Sequence, residues 1–112
     1  MEPWMEHLPA AVTVTDAQGR IVAMNARAAE VFAEDGGLAL LGSSVFDCHP
    51  EPARTRTLEL YAERAPNHYT IEKAGVRKII HQLPYFDGSG AFAGFVEISM
   101  PVPEALPHFV RT

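Results

Sequence analysis

Residues 11–31, AVTVTDAQGRIVAMNARAAEV, leave little freedom in how the chain begins to fold. Val12 and Val14 alternate with Thr13 and Thr15, the period of a strand with one buried face. Asp16-Ala17-Gln18-Gly19 reverses the chain, because Asp bonds its own backbone and Gly tolerates positive φ. Ile21 to Met24 is the return strand. Asn25 then accepts from the orphan amides of a following helix, as an N-cap does. That helix sets Ala28, Ala29 and Phe32 on one stripe and leaves Arg27 and Glu30 toward water.

The middle of the chain reads as short helices. Pro3 to His7 makes one helical turn, with Trp4 and Leu8 as apolar anchors, and Pro9 stops it. Asp35-Gly36-Gly37 breaks the helix led by Asn25, and Leu38, Leu40 and Leu41 form an apolar bridge ending at Gly42. Ser43 and Ser44 are N-cap candidates for another short helix, which Pro50 ends. A longer helix is expected from Pro50 or Pro52 to Ala65. On it Leu58, Tyr61, Ala62 and Ala65 share one face, while Arg56, Glu59 and Glu63 face away.

The last part changes period. His68 to Lys73 alternates, with Tyr69 and Ile71 on one side, and Ala74-Gly75 turns the chain. Val76 to Phe86 is a long strand, with Arg77, Ile79, His81, Leu83 and Tyr85 on one face. Asp87-Gly88-Ser89-Gly90 is a hairpin signal, and Phe92 to Met100 is the closing strand, with Val96, Ile98 and Met100 aligned. The order β-β, helices, β-β-β predicts an α+β fold: a five-stranded antiparallel sheet with short helices on one face. All 112 residues read as one domain, with residues 1–9 as an N-terminal cap and 101–112 as a proline-rich tail.

The composition narrows the partners. A net charge of −5 without a Lys/Arg cluster argues against nucleic acid and acidic membrane surfaces. No basic leader precedes an apolar segment, and no apolar run approaches the ~20 residues that span a bilayer. The single Cys48 excludes an internal disulfide and fits a reducing compartment, so a cytoplasmic protein is expected.

The Asp-x-x-Gly hairpin, the Asn-led helix, the Leu41-Gly42 step and the closing Asp87-Gly88-x-Gly90 hairpin followed by Gly94 together resemble a PAS domain. The resemblance covers nearly the whole chain. It implies a sensory module that holds a small, mostly apolar ligand between helices and sheet and relays its presence to a partner. It also implies an alternative, a ligand-free module that pairs as a homodimer or docks a signalling protein. Trp4 and Met5 ahead of Leu8 are the candidates for that contact. Phe46-Asp47-Cys48-His49-Pro50 looks like a turn of a bacterial PAS subfamily that accompanies hemerythrin-like domains. Many members close with Asp-Ile-Thr and a signalling helix, whereas here Glu97-Ile98-Ser99 runs into Met100-Pro101-Val102-Pro103. Prolines there do not start a long coiled coil.

The expected pocket residues are Leu58, Tyr61, Ile79, His81, Val96 and Ile98, with Cys48 and His49 beside them. Haem-carrying members take their iron ligand from the longer helix, which makes His49, or Cys48 as a thiolate, the haem candidate. Otherwise Cys48 is a small buried apolar residue and His49 caps the next helix. Flavin fits poorly, because Cys48 lies too far beyond Gly42 and lacks the Asn that precedes the photoactive cysteine of the LOV branch. One cysteine cannot hold an iron–sulfur cluster, and the five histidines show no metal-site spacing. Without Gly-x-Ser-x-Gly, a P-loop or His-Glu-x-x-His, catalysis is not expected. Glu97 reads as a surface carboxylate, or as a lone buried one with a raised pKa.

Overall fold

A computed structural model describes residues 1–112. Its core is an antiparallel sheet of five strands: β1 (Ala11–Thr15), β2 (Ile21–Met24), β3 (Asn67–Lys73), β4 (Val76–Phe86) and β5 (Phe92–Pro101). The spatial order is β2-β1-β5-β4-β3, so the first and last strands lie side by side at the centre. Three tight hairpins join sequence neighbours. In two of them an aspartate holds the turn: Asp16 Oδ1 accepts from the Gln18 and Arg20 amides at 2.9 and 3.0 Å, and Asp87 Oδ1 from those of Ser89 and Ala91 at 2.8 and 3.1 Å. Ala74 and Gly75, both at positive φ, make the third.

Between β2 and β3 the chain crosses one face of the sheet. The α-helix α2 (Ala26–Val31) is followed by two 3₁₀ turns, Ala33–Asp35 and Gly37–Leu40, and then by α3 (Ala53–Glu63). Another helical turn, α1 (Pro3–Glu6), precedes the sheet. Asn25 is completely buried and locks four segments together. Its Oδ1 accepts from Val12 and Ala28 amides at 2.9 and 3.0 Å, and its Nδ2 donates to the carbonyls of Met5 and Ala10 at 2.9 and 2.8 Å. The tightest apolar cluster lies beside it, where Ala11, Ile21 and Met24 meet Ala28 under Val31, Phe32, Leu40 and Val45.

Three local expectations need correction. Residues 43–49 form no helix. Ser44 accepts from the Phe46 amide through Oγ at 3.2 Å and bridges Arg20, so it shapes a turn against the first hairpin. In α3 the inward face is Thr57, Leu60 and Tyr61, not the stripe through Leu58, which is 39% exposed. The two stripes share Tyr61, and the apolar content of each is similar. Trp4 anchors nothing within the chain and is 68% exposed.

Candidate functional site

A cavity of about 550 Å³ lies between the sheet and the helical layer. Its roof comes from Val31, Phe32, Asp35, Leu40, Val45, Cys48 and His49. Strand alternation decides which sheet residues form the floor. They are Thr13 on β1, Tyr69, Ile71 and Lys73 on β3, Lys78, Ile80 and Gln82 on β4, and Glu97 and Ser99 on β5. A second space, about 60 Å³, continues toward α3 and is bordered by Thr15, Leu60, Tyr61 and Phe95. Thr13, Val45, His49, Gln82 and Glu97 border both.

This parity corrects the expected pocket. Ile79, His81, Val96 and Ile98 alternate with the floor residues and therefore project from the opposite face. Register confirms it, because His81 pairs with Ile98 while Ile80 pairs with Ser99. The physical reason is instructive. The outer face carries Val14, Ile79, Leu83, Val96, Ile98 and Met100, whereas the inner face carries Thr, Gln, Glu, Ser and Lys among its isoleucines. The more apolar stripe was the natural choice for an interior, and it is the outside of the sheet. There His81 Nδ1 lies 2.8 Å from His68 Nδ1 on the neighbouring strand, so one ring donates to the other.

Of the other expected residues, Leu58 faces solvent and Tyr61 projects from α3 toward the sheet. The Tyr61 ring packs edge-on to Phe46 and tilted on Phe95, with centroids 4.9 and 4.7 Å away, and its hydroxyl bonds Thr15 Oγ1. Burial raises the Tyr61 pKa, against the lowering effect of the Thr15 bond. Cys48 borders the cavity but is exposed, 3.8 Å from Ser43 Oγ, so it is not the buried apolar residue considered above. His49 does not cap α3. Its Nδ1 lies 2.7 Å from the Val45 carbonyl. A carbonyl only accepts, so Nδ1 carries the hydrogen and Nε2 is the free acceptor of the neutral ring.

Glu97 follows the second of its two expected readings, a buried carboxylate with a raised pKa, and not the surface one. It sits on the cavity floor, opposite Thr13 on one side and Gln82 on the other. Burial pushes its carboxyl above the ordinary range, opposed by a bond from Gln82 and by the nearby His49. A one-way chain of donors leads to it. Arg56 donates to Asn67 Oδ1 at 3.3 Å, Asn67 Nδ2 to Gln82 Oε1 at 2.8 Å, and Gln82 Nε2 to Glu97 Oε2 at 3.4 Å. The signal in the sequence was the polar series Lys78, Gln82, Glu97 and Ser99 interleaved with a greasier one. No group of three or more His, Cys, Asp or Glu side chains is placed to hold a metal ion.

A five-stranded antiparallel sheet, with helices crossing one face to enclose a cavity, defines a class of small α+β domains. The chain belongs to the PAS family: the model described as PAS fold matches residues 5–105. No curated protein matches it in sequence. Among solved structures it is similar to the PAS domain of BvgS from Bordetella pertussis, with 21% identity, a TM-score of 0.67, and coverage of 89% of this chain and 82% of that one. The Aer2 receptor of Vibrio cholerae, described as a dual PAS-heme oxygen sensor, aligns at 16% identity with a TM-score of 0.64, over 84% of this chain and 95% of that one. A sensory box sensor histidine kinase of Vibrio cholerae aligns at 13% identity with a TM-score of 0.65, over 88% and 85%. No helix is long and apolar enough to cross a membrane.

Proposed function

We propose that this chain is a sensory module whose cavity holds a small, mostly apolar molecule and whose occupancy is relayed to a partner protein. The observation that carries this reading is the cavity of about 550 Å³, a size suited to a small-molecule ligand. Its walls mix apolar contact surface from Ile21, Met24, Phe32, Leu40 and Ile80 with a few converging polar groups at Glu97, Gln82 and His49. The likeness to domains of an oxygen sensor and a sensor histidine kinase supports the same role. Native mass spectrometry of the purified protein tests it. A mass in excess of the chain, lost on denaturation, is expected. A bare mass, together with no binding from a fragment library, rejects the reading.

Haem is the specific alternative, with His49 Nε2 as the group to hold iron. The floor fits it poorly. A porphyrin laid across the sheet would cover the Glu97 carboxyl and its Gln82 partner with apolar surface and give neither a new bond. No Soret band is expected after reconstitution.

The outer sheet face favours a second role alongside the first. Val14, Ile79, Leu83, Val96, Ile98 and Met100 form a half-covered apolar surface, and Trp4 projects from α1 at the N-terminal end of the chain. Pairing of two copies through this face buries that surface and gives the signal a route that needs no helix after β5.

A further inference from the structure

Resting on the reading of the cavity as a ligand site, we propose that its occupant is an organic cation, an amine or similar N–H⁺ group on an apolar ring-sized body, with the nitrogen seated against Glu97. Three features of the floor lead there. First, Glu97 has acceptor capacity to spare. A carboxylate accepts about four hydrogen bonds, and this one has a single donor, Gln82, at the long distance of 3.4 Å. Second, no lysine, arginine or histidine forms an ion pair with it. The ion pairs of the molecule lie elsewhere, between Arg27 and Glu30 and between Arg56 and Glu59 or Glu63. The one-way chain from Arg56 through Asn67 and Gln82 points its last donor at Glu97 but carries no formal charge to it. Third, the remaining cavity is suited to a hydrocarbon body, with Ile21, Met24, Phe32, Leu40 and Ile80 around it. Met24 is unbranched and adapts to the shape it meets.

The basic groups of the cavity stand apart. Lys78 is four residues from Gln82 along β4, roughly 13 Å at strand spacing, and Lys73 is at the same end of the sheet. An anionic head at Glu97 would find no compensating lysine and would make ionisation of the carboxyl less favourable still. A cationic head replaces the missing counter-charge and donates to the open lone pairs, the stronger kind of hydrogen bond.

A proton accompanies the event. Burial favours the neutral carboxyl of Glu97, and the arriving cation favours its carboxylate, so binding releases a proton to the buffer. The titratable groups that face Glu97 are His49 from the loop before α3, Tyr61 from α3 and Tyr69 from β3, with Lys73 and Lys78 further along the floor and Asp35 and Cys48 in the roof of the same cavity. Neither tyrosine loses its proton near neutrality, because burial raises both.

Calorimetry with the whole chain tests the proposal, using tryptamine and indole-3-propionate, which share a ring and differ in the charge of the head. Tryptamine is expected to bind roughly 10-fold or more tighter than the propionate, and Glu97→Gln to erase that preference. Its affinity should rise with pH as the Glu97 carboxyl ionises, and the heat should depend on the buffer's ionisation enthalpy. That buffer dependence reads the carboxyl in the unaltered chain, without relying on the variant. Equal or tighter binding of the propionate, an unchanged tryptamine affinity in Glu97→Gln, or no tryptamine binding at millimolar concentration overturns the proposal. A guest that native mass spectrometry finds in the cavity without a basic nitrogen also overturns it, while leaving the ligand reading intact.

Discussion

Asn25 shows how much one side chain can decide. Its four hydrogen bonds tie α1, the start of β1, the end of β2 and the first turn of α2 into one joint. Asn25→Ala strands two amides and two carbonyls in a dry interior, and a loss of about 3 kcal/mol or more is expected in urea denaturation. Asn25→Asp keeps both accepted bonds and loses both donated ones, so its loss should be comparable. Gly94 is a second single-residue constraint. At φ 148 it brings β5 against β1, and a Cβ there would run into the Thr15 carbonyl oxygen. Gly94→Ala should therefore cost on the order of 3 kcal/mol, read in the same titration. Glu97 sets a pH dependence. Its folded pKa is raised above the unfolded value, so the native state binds the extra proton. The stability it lends is full below the unfolded pKa and is lost as pH rises through the folded one. Glu97→Gln should flatten that decline and leave the variant more stable than the parent at neutral pH, as thermal melts across the range would show.

At the scale of elements, the turns and strands were legible and the faces were not. β1, β2 and β4 coincide with the alternating runs, because Asp-x-x-Gly and Asp-Gly-x-Gly turns impose their own geometry on whatever flanks them. Which side of β4 looks inward was hidden, since Ile79 and Ile80 are adjacent and both apolar. The usual rule is reversed here, because the face under the helices carries Gln82, Glu97 and Ser99 while the open face carries Ile79, Leu83, Val96 and Ile98. The same ambiguity misplaced Leu58, which lies two residues, about 200°, around α3 from the buried Leu60. The β3–β4 turn is the element with the clearest room for improvement. Ala74 holds φ 52 with no glycine or asparagine to ease it. Ala74→Asn should stabilise the hairpin by about 0.5 kcal/mol, seen as a melting temperature raised by a few degrees.

At the scale of the molecule, two faces of one sheet are given different chemistry. The inner one places polar side chains around a cavity, and the outer one leaves aliphatic side chains half-covered. Sedimentation is expected to find a paired chain, and Leu83→Lys, on the outer face beside Val96, should leave single chains whose cavity still retains its guest. Loss of both together would place pairing and occupancy on one equilibrium. The strand order has a consequence in time. During synthesis β1 leaves the ribosome early and finds β2 at once across a short hairpin. Its other neighbour is β5, whose last residue is Pro101. The middle seam of the sheet therefore cannot close until the last strand of the domain has emerged, and until then one edge of the nascent hairpin stays open to chaperones or to the wrong strand.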